Sequence, residues 1–347
     1  MNFIYRLGMP LLAAGCLIML AQILNMGGMT DMIVSNPSVQ SFKILFISII
    51  LEAFPFILLG VFVSAILQVF VSDATIARIT PKNPIIGVLF GSLLGLLLPL
   101  CECGMIPVVR RLIRKGMPAY IGIVFIFAGP IINPVVFTST FTAFRSQPVM
   151  AYTRMGLALA VCIALGLVLY RFMKKSPLKL DALSLAAANN KDLTDLDSYG
   201  HTHNSHGTGF RGRIVATLSH ASDEFFDIGK YLIMGSFITA VVQTLLDRSL
   251  LATISSEPVI SNMFMMGFAF ALSLCSTSDA FVASSFNGIF GPGALLAFLV
   301  FGPMVDMKSM LMLLASFRTK VVIAIILFLF VAILCGSIIA EKLVFHT

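Results

Sequence analysis

An apolar stretch at residues 84–113 is interrupted by the peptide Pro99-Leu100-Cys101-Glu102-Cys103-Gly104. Proline and glycine interrupt helices, and a carboxylate at membrane depth is costly unless it is used. Transporters build binding sites at mid-membrane depth from helices that are broken at polar residues. The peptide therefore predicts an unwound segment inside a membrane-embedded helix.

The composition is that of a membrane protein that crosses the bilayer several times. The chain has 347 residues, 58% of them hydrophobic and 11% charged, and its mean hydropathy is +0.99. The predicted fold class is an all-α polytopic membrane protein with about 7–9 transmembrane spans. The net charge of +7 indicates orientation in the membrane and attraction to lipid headgroups, not nucleic-acid binding.

The apolar spans fall into two groups around one long polar segment. They lie at residues 7–25, 44–71, 84–113, 119–143, 150–172, 221–247, 262–288, 293–317 and 319–341. This pattern predicts an N-terminal transmembrane helix and loop at 1–43, a first membrane repeat at 44–172, a polar linker at 173–220 and a second membrane repeat at 221–347.

Four peptides of the first group have counterparts in the second. Glu52-Ala53-Phe54 parallels Glu224-Phe225-Phe226, 59–65 parallels 234–240, Leu100-Cys101 parallels Leu274-Cys275, and 127–133 parallels 300–306. Because the offset stays between 172 and 175 residues throughout, the pattern indicates an internal duplication of two homologous repeats.

Whether the two repeats are parallel or inverted in the membrane depends on how residues 84–113 cross it. If they form a re-entrant hairpin, most basic loop residues fall on one face, the N-terminus and the linker are cytoplasmic, and the repeats are inverted. If they cross once, the repeats are parallel and basic loops lie on both faces. The positive-inside rule favours inverted repeats with broken or re-entrant helices.

Cys101, Glu102 and Cys103 are the first candidate binding residues. In a regular helix, residues i and i+2 point apart, but in an extended break they face the same side. Two thiols with a carboxylate between them suit a soft metal ion or a metalloid. The alternative is a pair of packing cysteines with a glutamate that points to water.

The second break supplies a matching set of polar side chains. Its candidate substrate-binding residues are Cys275, Ser276, Thr277, Ser278 and Asp279. Under pseudo-twofold symmetry this break would face the first one, so three thiols would converge on one soft-metal site. The remaining cysteines stand alone in apolar spans and are interpreted as packing residues: Cys16, Cys162 and Cys335.

Two further breaks are predicted at Gly129-Pro130 and Gly302-Pro303, each followed by a polar residue. Asn133 and Asp306 occupy equivalent positions after them. Each either binds the substrate or caps the broken helix. The sequence Asp306-Met307-Lys308 also suggests a local charge pair.

Two glutamates and a histidine-bearing stretch complete the candidates. Glu52 and Glu224 occupy equivalent positions and either carry a proton for antiport or make a structural hydrogen bond. His201, His203 and His206 could bind zinc or nickel, although a solvated linker is the alternative.

At these residues the chain resembles the YraQ-type predicted permeases, the family that includes methylarsenite efflux permeases. The resemblance rests on 99–104 with the basic stretch after it, on Phe127–Pro134, and on their counterparts at Cys275 and Gly302-Pro303. It covers residues 44–341. The resemblance implies a permease and does not name its cargo.

The sequence therefore predicts a secondary-active permease that exports a soft metal ion or metalloid across the bacterial cytoplasmic membrane. One alternative is a divalent-metal transporter that uses the histidine-bearing loop, and another is a non-transporting subunit of a larger membrane complex. Nucleotide-binding and hydrolase motifs are absent, so no enzymatic activity and no cofactor are expected. The expected partners are the lipid bilayer, the small substrate, and a second copy of the chain or a membrane partner subunit.

Overall fold

The computed structural model describes residues 37–70, 83–97, 101–172, 210–245 and 258–345, together with parts of 75–81. Apart from isolated bridge residues, the described residues form helices and short connections. The helices are α1 (Pro37–Phe70), α2 (Pro84–Leu97), α3 (Glu102–Arg114), α4 (Ala119–Ala128), α5 (Pro134–Ala143), α6 (Val149–Phe172), α7 (Phe210–Leu245), α8 (Pro258–Leu272), α9 (Asp279–Ser284), α10 (Pro292–Met304), α11 (Met307–Ser316) and α12 (Thr319–Ala340). A π-helical turn, Glu341–Phe345, follows α12.

The order of long and short helices is the same in the two halves. Each half begins with a long helix, α1 or α7, continues through four short helices, and ends with a second long helix, α6 or α12. Helix α7 begins at Phe210, inside the stretch that the sequence assigns to the linker. The duplication itself stays a prediction.

The four predicted breaks are present, and one of them is displaced. The first separates α2 from α3, the second α4 from α5, and the third α8 from α9. The fourth was placed at Gly302-Pro303, which is wrong, because α10 continues through both residues and ends at Met304. The chain becomes extended only at Val305 and Asp306, where the capping geometry of α11 requires a non-helical backbone.

Helices α2 and α3 form a hairpin, which is what the re-entrant alternative requires. Helix α2 runs alongside α4 in the same direction, since Gly87 packs against Ile121 and Gly95 against Gly129. Helix α3 runs in the opposite direction to α4, since Met105 contacts Gly129 and Ile113 contacts Gly122. The chain therefore runs in one direction along α2 as far as Leu97 and in the opposite direction along α3 from Glu102.

Corresponding long helices of the two halves run in opposite directions. On α1 and α7, Phe42 meets Phe237 with ring centroids 5.3 Å apart, and Phe54 meets Phe225 at 5.7 Å. The numbering rises along one helix as it falls along the other, so α1 and α7 are antiparallel.

Helices α6 and α12 also run in opposite directions. Gly336 near the end of α12 packs against Leu157 near the start of α6. At the other end, Val322 of α12 lines a cavity with Ile123 of α4, and the adjacent part of α4 packs against Gly166 of α6. Opposed directions of this kind are those of inverted repeats.

The described residues contain four segments that are long and apolar enough to cross a membrane. They are Val39–Leu67, Val149–Phe172, Pro292–Ser316 and Thr319–Phe345. Shorter apolar helices lie at Pro84–Gly95, Ala119–Ala128 and Val259–Leu272. At 1.5 Å per residue, these shorter helices reach only part of a bilayer about 30 Å thick. The predicted span at 7–25 lies outside the described residues.

Candidate functional site

The two breaks richest in polar residues meet at one cleft. It lies where α1, the start of α3, the α8–α9 break and α11 come together, and its lining residues are Ile49, Glu52, Ala53, Phe56, Cys101, Glu102, Cys103, Cys275 and Lys308. Its empty volume is about 280 Å³, its open mouth included.

Three thiols from two breaks of the chain line this cleft. Cys103 is buried, whereas Cys101 and Cys275 are partly exposed. The backbone is extended at Cys101 (φ −70°, ψ 164°), whereas Glu102 and Cys103 belong to the first turn of α3, and both cysteines line the cleft. The Thr277 hydroxyl donates to the sulfur of Cys275 at 3.6 Å. The other described cysteines, Cys162 in the core and Cys335 at the exposed surface, lie outside the cleft.

Close helix packing brings α3 against α1 at the cleft. A Cβ on Gly60 would overlap the backbone of Gly104, and a Cβ on Gly104 would lie 2.6 Å from the carbonyl oxygen of Phe56. Glycine is the residue that permits this backbone approach. The packing places Glu52, one turn before Phe56, at the exposed side of the cleft.

Lys308 is the residue at this site that the sequence left unassigned beyond its pairing with Asp306. It is 5% exposed, and its ammonium group donates to the carbonyl oxygen of Ser273 at 3.0 Å. The same nitrogen lies 3.4 Å from Asp306 Oδ2 and 4.0 Å from Glu102 Oε1. The predicted Asp306–Lys308 pair is therefore present, and it continues to Glu102 of the other half.

Asp306 and Asn133 both cap helices. Asn133 Oδ1 accepts from the backbone N–H of Val135 at 2.8 Å at the start of α5. Asp306 forms a capping box with Ser309, whose backbone N–H donates to Oδ1 at 2.6 Å and whose hydroxyl donates to the same oxygen. Neither residue lines the cleft. Asp306 is fully buried and reaches the site only through Lys308.

Ser273 joins the third break to the fourth. Its φ of +46° places it in the left-handed region, which is uncommon for a residue other than glycine. Its hydroxyl accepts from the backbone N–H of Met307 at 3.1 Å and from the Thr239 hydroxyl at 3.4 Å. Its carbonyl accepts from Lys308. Sequence reasoning missed Ser273, because a serine at the end of an apolar helix gives no signal of a positive φ.

Asp279 lies in a buried ion pair away from the cleft. Its Oδ2 is 2.7 Å from Arg154 NH2, and the two side chains are 3% and 2% exposed. Arg154 also donates to Thr140 Oγ1 at 2.7 Å and to the carbonyl oxygen of Ser276 at 3.3 Å. Arg154 belongs to α6 and Asp279 to α9, so this pair joins the two halves. The signal for this pair is an arginine inside the apolar span 150–172, since a charge at membrane depth requires a partner.

The other polar residues of the third break make local contacts. Ser278 donates to the carbonyl oxygen of Cys275 at 3.1 Å, and Ser276 is buried. The side chain of Glu224 lies outside the described part of the chain, as do His201, His203 and His206.

Residues that line the same cleft are not necessarily close enough to coordinate one metal ion. Among the described residues, no three side chains of His, Cys, Asp or Glu lie close enough to hold one metal ion. The three thiols and two glutamates thus surround a shared space without forming a closed coordination shell in this conformation.

Comparisons with known proteins agree with this architecture. The family model ArsP_1, described as a predicted permease, matches residues 38–342. The UPF0718 protein YcgR of Bacillus subtilis is 48% identical over 298 residues, which cover 86% of this chain and 96% of that protein. A Streptococcus mutans protein, named as a subunit of a two-component membrane permease complex, is 38% identical over 280 residues, covering 80% and 88%. No solved structure matches significantly.

Proposed function

Since this multi-pass membrane protein belongs to the ArsP_1 family of predicted permeases, we propose that it is a secondary transporter for a small thiophilic cargo. The cargo is a soft metal ion or a metalloid, and it is exported across the bacterial cytoplasmic membrane. One observation carries the proposal: Cys101, Cys103 and Cys275, from two breaks in opposite halves of the chain, line a single cleft beside two carboxylates.

The chemistry of the cleft supports a soft cargo. Thiolates prefer soft metals, whereas carboxylates and carbonyls alone prefer hard cations such as magnesium and calcium. Two of the thiols are only two residues apart in the chain, and the third lines the same cleft from the other half. Closure of the cleft around the cargo would complete the coordination shell that is open in this conformation.

Two carboxylates of the cleft are proposed to couple cargo movement to protons. Glu52 lies at the exposed side and Glu102 at the buried side of the same space. Ionisable residues inside membrane spans commonly mark ion pathways and proton relays. A proton that leaves one carboxylate as the cargo binds would make the two events mutually exclusive, which is the requirement for antiport.

The cargo can be identified from a strain that lacks the gene. The strain and its complemented parent are exposed to a panel of soft metals, metalloids and hard divalent cations, and intracellular accumulation is measured. The proposal predicts higher accumulation of one or more thiophilic species in the deletion strain and no change for magnesium or calcium. Unchanged accumulation of every thiophilic species would contradict it.

A matched set of cysteine variants tests the site itself. Cys101→Ser, Cys103→Ser and Cys275→Ser replace soft ligands with hard ones of similar size, so transport of the identified cargo into everted vesicles should fall about 10–100-fold. Cys162→Ser and Cys335→Ser serve as controls because they lie away from the cleft, and they should transport normally. Equal transport by both sets would show that the cleft cysteines are packing residues.

A second candidate is that the permease works as one subunit of a complex. It is favoured by the name of the Streptococcus mutans relative, a two-component membrane permease complex subunit. Affinity purification of the tagged protein from its native membrane, in a mild detergent, would recover a second polypeptide in fixed stoichiometry. Full transport by the purified chain alone in liposomes would contradict this candidate.

A further inference from the structure

Lys308 stands where a bound cation would be expected. Its ammonium group is buried between Glu102 and Asp306, and it lines the same cleft as the thiols. The other ionisable groups that face it are Glu52 from α1, Cys101 and Cys103 from the start of α3, and Cys275 from the third break. Helix α7 contributes Gly235, which packs against the Lys308 backbone.

We propose that Lys308 is a resident counter-ion. Its ammonium group pairs with the Glu102 carboxylate while the cleft is empty, and a cationic cargo takes the place of the ammonium group when it binds. This inference rests on the proposed function and narrows it, because it selects a soft metal cation over a neutral metalloid. Three carboxylates, Glu52, Glu102 and Asp306, share the surroundings of the single ammonium group. When more than one of these carboxylates is ionised, the site carries an excess of negative charge that attracts a cation.

The Lys308 ammonium group lies closer to two other partners than to Glu102, which suits an exchange at Glu102. Its hydrogen bond to the Ser273 carbonyl is 3.0 Å long and its distance to Asp306 Oδ2 is 3.4 Å. The distance to Glu102 is 4.0 Å, too long for a hydrogen bond. When a cation binds to Glu102 and the thiols, Lys308 can keep Ser273 and Asp306 as partners, so the ammonium group is not left alone in the membrane interior.

Asp306 is arranged to hold Lys308 in this second position. Its Oδ1 is occupied by the backbone and side chain of Ser309, which fixes the carboxylate. Its Oδ2 is buried without a hydrogen bond and lies on the side of Lys308. A carboxylate with one oxygen fixed and the other reserved for an ammonium group is a preorganised partner.

The exchange would also change what holds the two halves together. Glu102 belongs to α3 of the first half and Lys308 to α11 of the second, and these helices are in contact. Their ion pair crosses the interface at the cleft, so its loss on cargo binding weakens that interface. The Arg154–Asp279 pair crosses a different contact between the halves and does not face the cleft, so it persists. Cargo binding would thereby favour movement at one interface only.

Binding of two thiophilic probes to the purified protein tests the exchange. Cd²⁺ is a soft cation, whereas arsenous acid is a neutral thiophilic molecule. Lys308→Met removes the competing charge about 4 Å from Glu102, so the Kd for Cd²⁺ should fall about tenfold or more. Its Kd for arsenous acid should change less than about threefold, because no charge competes there. Lys320→Met, at an exposed lysine outside the cleft, is the matched control and should bind Cd²⁺ like the wild type.

A second pair of variants keeps the test valid if Lys308→Met does not fold. Glu102→Gln/Lys308→Met removes both charges, so that only Asp306 loses its ammonium partner, whereas Lys308→Met takes it from both Glu102 and Asp306. If Lys308 competes through Glu102, this double variant should bind Cd²⁺ within about twofold of Glu102→Gln alone, since the interaction is absent from both. A tenfold difference between them, or an unchanged Kd for Cd²⁺ in Lys308→Met, would overturn the exchange. If the wild type binds neither probe, the proposed thiophilic function fails with it.

Discussion

Breaking the buried pair between Arg154 and Asp279 gives a sharp test of how the two halves are joined. The pair is 2.7 Å long and almost fully buried. Asp279→Ala leaves the guanidinium group in the interior without its carboxylate, which should cost about 3–5 kcal/mol. For the purified protein in detergent, this corresponds to a fall in melting temperature of about 5 °C or more.

The double variant Arg154→Met/Asp279→Leu separates the cost of an orphaned charge from the value of the pair. Replacing both partners by apolar residues is often neutral or stabilising. Arg154 also serves the Ser276 carbonyl, and losing that partner should cost about 1–3 kcal/mol. The double variant should therefore melt between Asp279→Ala and the wild type, and it should retain transport.

Two results would refute this reasoning. If Asp279→Ala melts like the wild type, the ion pair does not support the fold. If the double variant is as stable as expected but does not transport, Asp279 acts on the cargo, as the sequence alone suggested, and its pairing with Arg154 is not its only role.

Three further predictions concern the close helix packing, a helix cap and the membrane topology. Gly104→Ala should lower the melting temperature and transport, because its Cβ would lie 2.6 Å from the Phe56 carbonyl oxygen; Gly156→Ala, with no atom within 4 Å, is the matched control, and equal melting of both would contradict the close packing. Asn133→Ala should cost about 0.5–2 kcal/mol of stability through the lost cap without changing the Kd for cargo, and a large rise in Kd would make Asn133 a ligand. Single cysteines introduced at positions 204 and 347 should react with an impermeant thiol reagent from opposite sides of the membrane, and reaction from the same side would contradict inverted repeats.

The sequence was most informative about where helices break. Proline and glycine next to polar residues mark the first two breaks. The third has neither, and the run Ser276-Thr277-Ser278-Asp279 marks it, because such side chains compete for backbone hydrogen bonds. The fourth was displaced because Gly302-Pro303 still fits inside α10. That helix ends at the extended backbone of Val305, and Asp306 caps the next one. The sequence alone does not distinguish a capping aspartate from any other buried acidic residue.

The sequence was least informative about which charges pair. Arg154 and Asp279 are 125 residues apart, and only the packing of α6 against the second half brings them together. The pair between Lys308 and Asp306 could be predicted because the two residues are close in the chain. The contact of Lys308 with Glu102 could not, because it depends on how α11 packs against α3. The duplication suggested that the two breaks would face each other, but it could not say which side chains enter the space between them.

The most direct test of the central claim is the coordination of a soft metal by the cleft thiols. X-ray absorption spectra of the purified protein loaded with Cd²⁺ report the atoms bound to the metal. The account predicts at least two sulfur ligands in the wild type and in a Cys162→Ser/Cys335→Ser control, and their loss in Cys101→Ser/Cys103→Ser/Cys275→Ser. A spectrum with only oxygen and nitrogen ligands, or sulfur ligands that survive in the triple variant, would contradict the thiol site.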